Sequence, residues 1–425
     1  MPGKQPSYRA PWLIRILECI AAPLSLATLY KLATVVGTLG FMLSARQRKR
    51  ILSNLSLAGD LNLDRRTQRQ IARKSLINLY AVTFDYLKLR NLDRDSNRIV
   101  SNNIVSINNP EVIDQLIADG HSPVIVTGHL ANWEATFLGA SSQQPGIVIS
   151  QRFFVEPVAD WIHAIRTQFG GELTPPQHAV RAGIRALRQG RFAGLAIDQA
   201  LPEGGLPLTF FGTRAYTTPT PALWALRTNS PIVMVMARRS ATGYRLRYHA
   251  PIWPDTSNPH NDEIQRLTQQ LQRQLEADIR RMPGDYLWLH NRYQQHTHQH
   301  LQQAYRHDVL MLVLPESKQA ADRVIAELSA LNRFYPRALL TIYMPSAASK
   351  KTVGLSTDMQ VTVKHYDTLS DTLEDDWRYQ LIFDYSQGST VSRYYRRRGA
   401  FASIKLSPSI PLEQQLADQV LIHHS

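Results

Sequence analysis

A histidine and a glutamate in the segment GHLANWE, residues 128–134, could carry out acid–base chemistry. On a continuous helix, at about 100° per residue, the side chains of His129 and Glu134 would point to different faces. They can act together only if His129 lies in a turn and a helix begins just after it. The helix amino terminus would then keep His129 neutral as a base. Glu134 would accept a hydrogen bond from the N–H of the other ring nitrogen of His129. Such a dyad could deprotonate a hydroxyl, although a strand-end histidine and an ordinary surface glutamate would have the same spacing.

The elements around this segment favour the turn. The run SPVIVTGH (122–129) predicts a buried strand, and residues 131–140 have a helical pattern. Further β-rich runs lie at 146–152, 192–199 and 231–239, with helical patterns between them. This alternation predicts an α/β fold with a mostly parallel central sheet flanked by helices. Sites in such sheets gather at the carboxyl ends of strands, which directs attention to His129, Arg152 and Asp198.

The amino-terminal segment predicts membrane association. An apolar stretch from Trp12 to Leu43 carries only three charged residues and is followed by an Arg/Lys cluster at 46–50. This pattern is typical of a membrane anchor whose basic flank stays in the cytoplasm. Because Pro23 and Lys31 interrupt the stretch, a spanning helix and a helix lying on the surface both remain open. A pair of helices docked on the main domain is the third interpretation.

Composition narrows the classes of partner and cofactor. The formal charge of +14 favours nucleic acid, an anionic membrane surface or acidic small molecules. A single cysteine, Cys19, excludes an internal disulfide framework and a cysteine-based metal site. His296, His298 and His300 alternate in a Gln-rich linker, where a solvated segment is a commoner explanation than a metal site. The basic run YYRRRG (394–399) lacks a recognised nucleic-acid-binding fold, so we expect no nucleic acid and no metal.

The sequence divides into three segments. Residues 1–50 form the anchor and its basic flank, residues 51–300 the main domain, and residues 306–425 a smaller α/β domain. The last segment begins with a β-rich run at 308–315 that is followed by a helical pattern at 317–333. Because it has no Gly-rich phosphate loop, we expect an accessory domain without catalysis.

Most of residues 10–295 resembles the bacterial lipid A biosynthesis acyltransferases, which are late (lauroyl or myristoyl) acyltransferases of the lysophospholipid acyltransferase superfamily. GHLANWE matches the H-x4-D/E box of that superfamily. The segments NLSLAG (54–59), SQRFFVEPVADWIHAIR (150–166) and PGDYLWLHNRY (283–293) follow the family pattern in order. The resemblance implies a glycerolipid-acyltransferase-like fold for the main domain.

The resemblance also implies a reaction and its residues. A fatty acyl chain would pass from a thioester of acyl carrier protein or CoA to a hydroxyl of a lipid A precursor or related glycolipid, without a cofactor. His129 would be the general base and Glu134 its orienting partner. Arg152 would hold a phosphate or be a plain surface arginine. Asp198 would contact the site, bind a sugar hydroxyl or cap a strand end, and Asn132 would bind substrate or begin the helix.

The resemblance implies a protein of the inner (cytoplasmic) membrane whose catalytic domain faces the cytoplasm. Its donor, an acidic acyl carrier protein or acyl-CoA, and its lipid acceptor are anionic, which agrees with the basic charge. One alternative is the same chemistry on another acceptor, such as a phosphatidylinositol mannoside or an aminolipid. The other is a non-catalytic membrane lipid-binding protein, which the intact pair of His129 and Glu134 disfavours.

Overall fold

The computed structural model describes residues 12–90, 92, 104–151, 156–240, 242–296, 307–348 and 354–421. The helices are α1 (Trp12–Ala21), α2 (Leu26–Leu43), α3 (Ala45–Leu57), α4 (Arg65–Leu89), α5 (Glu111–Ala118), α6 (Trp133–Gln143), α7 (Glu156–Thr167), α8 (Ala179–Arg188), α9 (Thr220–Thr228), α10 (His260–Arg281), α11 (Lys318–Ala326), α12 (Leu331–Phe334), α13 (Thr390–Arg396) and α14 (Leu412–Val420). The strands are β1 (Val105–Ile107), β2 (Val124–Thr127), β3 (Gly146–Ile149), β4 (Glu172–Thr174), β5 (Phe192–Ala196), β6 (Leu206–Phe210), β7 (Thr213–Thr217), β8 (Ile232–Arg239), β9 (Tyr244–Tyr248), β10 (Val309–Val313), β11 (Leu339–Pro345), β12 (Gln360–Tyr366), β13 (Leu381–Asp384) and β14 (Ala402–Lys405).

The chain forms two compact units that are interleaved in sequence. The first consists of Met1–Leu43, Arg73–Gln199 and Thr217–Leu287. The second consists of Ser44–Ala72, Ala200–Tyr216 and Trp288–Ser425. The domain bounds expected from the sequence, 1–50, 51–300 and 306–425, stay a prediction.

The first unit is built on a seven-stranded sheet with the order β1-β9-β8-β2-β5-β3-β4. Its neighbouring strands are parallel except for the antiparallel pair β8 and β9. The apolar runs of β2, β5 and β8 lie in the middle of this sheet, where both faces are covered, which explains why they do not alternate with polar residues. The mostly parallel α/β architecture expected from the sequence is confirmed.

Helices cover both faces of this sheet. Right-handed crossovers from β1 to β2, from β2 to β3 and from β3 to β4 put α5, α6 and α7 on one face. The crossovers from β4 back to β5, and from β5 to β8, run in the opposite direction along the sheet and put α8 and α9 on the other face. A large core fills the first face, and Leu138, Ile165 and Leu246 are buried in it.

The two amino-terminal helices expose apolar side chains. In α1, Trp12 and Leu13 are exposed, while Glu18 accepts a hydrogen bond from Trp161 Nε1 of α7 at 2.8 Å and pairs with Arg90. By length and composition α2 could cross a membrane, and only 17% of it is buried in the protein. The apolar stretch expected to be an anchor is therefore helical, and its one acidic residue is neutralised by contacts within the first unit.

The second unit contains a five-stranded, fully parallel sheet with the order β12-β11-β10-β13-β14. Apolar clusters cover both of its faces. Helix α3, which carries the basic flank, also belongs to this unit, and there Lys49 Nζ donates to the Ala400 carbonyl at 2.8 Å. The smaller carboxyl-terminal α/β layer expected from the sequence is thus present.

Candidate active site

A tight turn follows β2 at the carboxyl edge of the first unit's sheet. It contains His129 and ends at Asn132, which caps α6 by accepting hydrogen bonds from the backbone N–H groups of Glu134 and Ala135 at 3.0 and 3.2 Å. Ala131 has φ = 51°, in the left-handed region that non-glycine residues rarely adopt. The chain therefore reverses from strand to helix between His129 and Trp133, as the sequence predicts.

Two other segments hold this turn in its strained conformation. The backbone N–H of Ala131 donates to the Asp285 carbonyl at 2.9 Å, and that of Leu287 donates to the His129 carbonyl at 2.9 Å. From α4, Asn78 Nδ2 reaches the carbonyls of Ala131 at 2.9 Å and Asp285 at 3.0 Å. The position of the His129 backbone is thus fixed by neighbours distant in sequence.

Asp198 binds His129 at two atoms. His129 Nδ1 lies 2.8 Å from Asp198 Oδ1, and the His129 backbone N–H donates to Oδ2 at 2.9 Å. Asp198 follows β5, the strand next to β2, and its side chain is completely buried. Gly128 leaves room for the Leu275 side chain, since a Cβ there would lie 2.5 Å from Leu275 Cδ1. The carboxylate therefore sets the orientation of the imidazole ring.

Glu134 has a different partner from the one expected. Its Oε1 and Oε2 accept hydrogen bonds from Arg166 Nη2 at 2.6 Å and Nε at 2.7 Å, in a bidentate pair. Arg166 also donates to Ser150 Oγ at 2.7 Å, and Tyr86 lies 3.4 Å from its Nη2. The carboxylate at His129 Nδ1 is thus Asp198, because sheet neighbours bring these two residues together while the first turn of α6 directs Glu134 towards α7.

Both acidic side chains alter the ionisation of His129. Burial by itself would lower the pKa of His129, but the adjacent Asp198 and the charge of Glu134 raise it above its ordinary value. The two nearby carboxylates therefore favour the imidazolium, while the neutral His129 expected from the helix terminus stays a prediction. Burial would raise the pKa of Glu134, and the Arg166 guanidinium outweighs that effect and lowers it.

Comparison with known proteins places the chain in a family. A family model described as bacterial lipid A biosynthesis acyltransferase matches residues 3–295. The chain belongs to this family. No curated protein matches the chain. Membership establishes an acyltransferase that acts on a lipid acceptor, and residues 296–425 lie beyond the matched part.

The other residues expected to bind substrate have distinct positions in this acyltransferase. Arg152 lies outside the described residues, so its role stays a prediction. Asn132 is completely buried and its Oδ1 caps α6, which confirms the helix-start interpretation, while substrate binding by Asn132 stays a prediction. Both oxygens of Asp198 contact His129, and binding of a sugar hydroxyl by Asp198 stays a prediction.

Sequence reasoning about the acyltransferase missed a second buried ionic group. Arg239 Nη2 donates to Asp85 Oδ2 at 2.6 Å, and the Tyr244 hydroxyl donates to the same oxygen. The Arg239 guanidinium lies over the rings of Tyr244 and Tyr30, at 4.7 and 4.9 Å from their centroids. Burial raises the pKa of Asp85 against the opposing effect of Arg239. These side chains tie α2, α4, β8 and β9 together.

Sequence reasoning also missed Arg166, the partner of Glu134, although it lies in a segment that carries the family resemblance. No periodicity rule singles it out, because an arginine late in an amphipathic helix usually faces solvent. The position of Asp198 at the end of a predicted strand does single it out. Pairing it with His129 would also have required knowing that β2 and β5 are neighbours in the sheet.

Of the alternating histidines of the linker, His296 is described, and it is buried instead of solvated as the Gln-rich sequence predicts. His296 Nδ1 lies 2.7 Å from Asp308 Oδ1, and His296 Nε2 accepts a hydrogen bond from the Arg337 backbone N–H at 3.0 Å. Both ring nitrogens of His296 are therefore occupied. His298 and His300 lie outside the described residues, and no group of three or more metal-binding side chains occurs among those described.

Proposed function

We propose that this chain transfers a fatty acyl group from a thioester on acyl carrier protein, or on CoA, to a hydroxyl of a lipid A precursor or related glycolipid. His129 is the general base. The observation that carries the proposal is the hydrogen bond between His129 Nδ1 and the buried carboxylate of Asp198, at the carboxyl end of a central strand. Family membership supplies the reaction class.

The geometry supports a definite proton path. Nδ1–H donates to Asp198, so the lone pair of Nε2 points away from the carboxylate and accepts the proton of the acceptor hydroxyl. The hydroxyl oxygen forms a bond to the thioester carbonyl carbon, and the carbon–sulfur bond breaks. The departing thiolate takes the proton back from Nε2. Asp198 stabilises the imidazolium that exists between these two proton transfers. The reaction therefore needs no cofactor.

Glu134 and Arg166 have a supporting role in this proposal. Their bidentate pair fastens the first turn of α6 to α7 close to the histidine. The charge of Glu134 adds to the effect of Asp198 and raises the pKa of His129, which makes the histidine a stronger base. Glu134 is thus a positioning residue that acts through the first turn of α6 and through its charge.

We also propose that the protein works at the cytoplasmic face of the inner membrane. The support is the exposed apolar surface of α1 and α2 and a lipid acceptor. Helices with apolar side chains on an exposed face partition into the headgroup and acyl boundary of a bilayer.

Radiolabelled acyl transfer tests the proposed function. The purified full-length protein is given acyl carrier protein or CoA thioesters and a panel of acceptors: lipid A precursors, a phosphatidylinositol mannoside and an aminolipid. Transfer to a lipid A precursor is the expected result, and transfer to another lipid alone would move the proposal to that acceptor. Absence of transfer to every acceptor would contradict the proposal and favour a lipid-binding protein.

A further inference from the structure

Helix α8 carries a stripe of arginines along one exposed face. Arg181, Arg185 and Arg188 occur at positions i, i+4 and i+7, which place them one above another on a helix, and all three are exposed. The chain between Glu172 and Asp198 contains no acidic residue. We call these three residues the α8 arginine stripe.

Helix α8, which carries the stripe, packs closely against α9. Its opposite face is buried, and Gly183 lies so close to Trp224 of α9 that a Cβ would be 2.1 Å from the indole Cε2. Trp224 Nε1 also donates to the Ala179 carbonyl at 3.2 Å. The three guanidinium groups therefore project from a rigid base, which favours a surface that recognises a partner.

The positive charge of the stripe is not neutralised by ion pairs within the described residues. The neighbouring Arg191 pairs with Glu172 at 2.9 Å, but no described ion pair includes a residue of the stripe. Like charges at i and i+4 destabilise a helix. A row of arginines with this cost is best explained by an anionic partner that approaches α8.

The position of α8 favours a soluble partner over the membrane. Helix α8 lies on the opposite face of the sheet from α7, and α7 is the helix that contacts α1 through Trp161 and Glu18. A bilayer that receives the exposed apolar residues of α1 therefore contacts the other side of the first unit. Helix α8 also begins after β4, at the carboxyl edge where His129 lies, and extends about 15 Å from it.

We propose that the α8 arginine stripe is the docking surface for the acidic carrier protein that delivers the acyl thioester. This inference rests on the proposed acyltransferase function and specifies its donor. Opposite charges raise the rate of encounter and fix the orientation of a docked protein. Because α8 begins at the carboxyl edge of the sheet that holds His129, a carrier docked near Arg181 can direct its flexible acyl-bearing arm towards that edge.

Charge reversal tests the inference. In R181E/R185E/R188E we expect the KM for acyl carrier protein thioester to rise at least about tenfold at low salt, with kcat little changed. The rate with acyl-pantetheine, which keeps the thioester but lacks the acidic protein, should be unchanged. The triple lysine variant R181K/R185K/R188K should stay close to wild type, because the charge is kept.

The matched control is R238E/R245E/R247E, which reverses three exposed arginines on the β8–β9 pair of the same unit. An equal rise in KM for this control would overturn the inference, since total charge would then explain the effect. An unchanged KM in the stripe variant would also overturn it. So would loss of binding to phosphatidylglycerol vesicles with an unchanged KM, which would assign the stripe to the membrane.

Direct binding separates this inference from the proposed function. If the wild-type protein transfers no acyl group, the affinity of acylated carrier protein for wild type and for R181E/R185E/R188E is measured instead. Weaker binding by the variant alone supports the docking surface even when the proposed reaction is wrong. Equal binding, or no binding to either protein, overturns it.

Discussion

At the scale of single residues, one carboxylate controls both the place and the protonation of the histidine. Asp198 forms hydrogen bonds with both the ring Nδ1 and the backbone N–H of His129. A substitution of Asp198 therefore affects the orientation and the pKa of His129 together. Its charge raises the pKa of His129. Since only the neutral imidazole can accept a proton, activity rises as the pH passes upward through that pKa.

Replacing Asp198 by Asn should therefore have two separable effects. The pKa of His129 falls because the adjacent negative charge is removed, so the acidic limb of kcat/KM moves to lower pH. The maximal kcat/KM falls by roughly 10²–10⁴-fold, because the tautomer and the imidazolium lose their partner. A pH–rate profile of wild type and Asp198→Asn measures both. An acidic limb that stays in place would show that Asp198 does not act on the ionisation of the base.

Replacing Glu134 by Gln should destabilise the protein by about 3–5 kcal/mol, because it leaves the Arg166 guanidinium buried without its counter-ion. The pKa of Glu134 is lowered in the folded protein. Its contribution to the free energy of unfolding is therefore complete above the pKa that Glu134 has in the unfolded chain, and it is lost as the pH falls through the pKa in the folded protein. The difference from wild type should thus shrink in acid. Urea unfolding at two pH values measures this.

The control for that experiment is Glu172→Gln. Glu172 pairs with Arg191 at 2.9 Å, but its side chain is 63% exposed, so the loss should be below about 1 kcal/mol. Equal losses in Glu134→Gln and Glu172→Gln would contradict the account of a buried, structurally important pair.

At the scale of elements, close packing of α8 on α9 supports the second face of the sheet. Gly183→Ala should destabilise the first unit by about 1–3 kcal/mol, because a Cβ would lie 2.1 Å from the Trp224 ring. Gly59→Ala is the matched control, since a Cβ there would meet nothing within 4 Å. Thermal unfolding should show a lower midpoint for the first variant alone. A similar midpoint for both variants would mean that α8 can shift without cost.

The central strands could be predicted from sequence because each is a continuous apolar run. The runs at 122–129 and 192–199 contain β2 and β5. Strands β1 and β4, at the two edges of the sheet, have only three residues each, too few to show a periodicity. Sequence patterns therefore define the middle of this sheet and miss its edges.

His129, Glu134 and Asp198 could be predicted as members of the candidate site, but Arg166 and the pairing of these side chains could not. Spacing along the chain suggested Glu134 for His129, whereas the order of strands in the sheet brings in Asp198, 69 residues away. The backbone hydrogen bonds that Asp285 and Leu287 form with the turn at His129 also cannot be predicted from local sequence patterns. This segment resembles the family's closing motif, and the structure shows that it holds the turn that contains His129.

At the scale of the whole molecule, the proposed contact with an anionic bilayer is supported by the basic charge and the exposed apolar helices. The double variant V35E/L39E puts two charges on the exposed face of α2 and should lower binding to phosphatidylglycerol vesicles at least about tenfold. V363E/I410E, at two exposed apolar positions of the second unit, should bind as wild type does. Vesicle sedimentation measures both, and equal binding of all three proteins would contradict a membrane role for α2.

The central claim is that His129 is the base of an acyl transfer, and one measurement tests it most directly. Radiolabelled acyl transfer to the preferred lipid acceptor is compared between wild type and His129→Gln, with unfolding midpoints showing that both are folded. We expect kcat to fall by about 10²–10⁴-fold in the variant, because general-base catalysis is removed. Equal rates in the two folded proteins would contradict the assignment of His129.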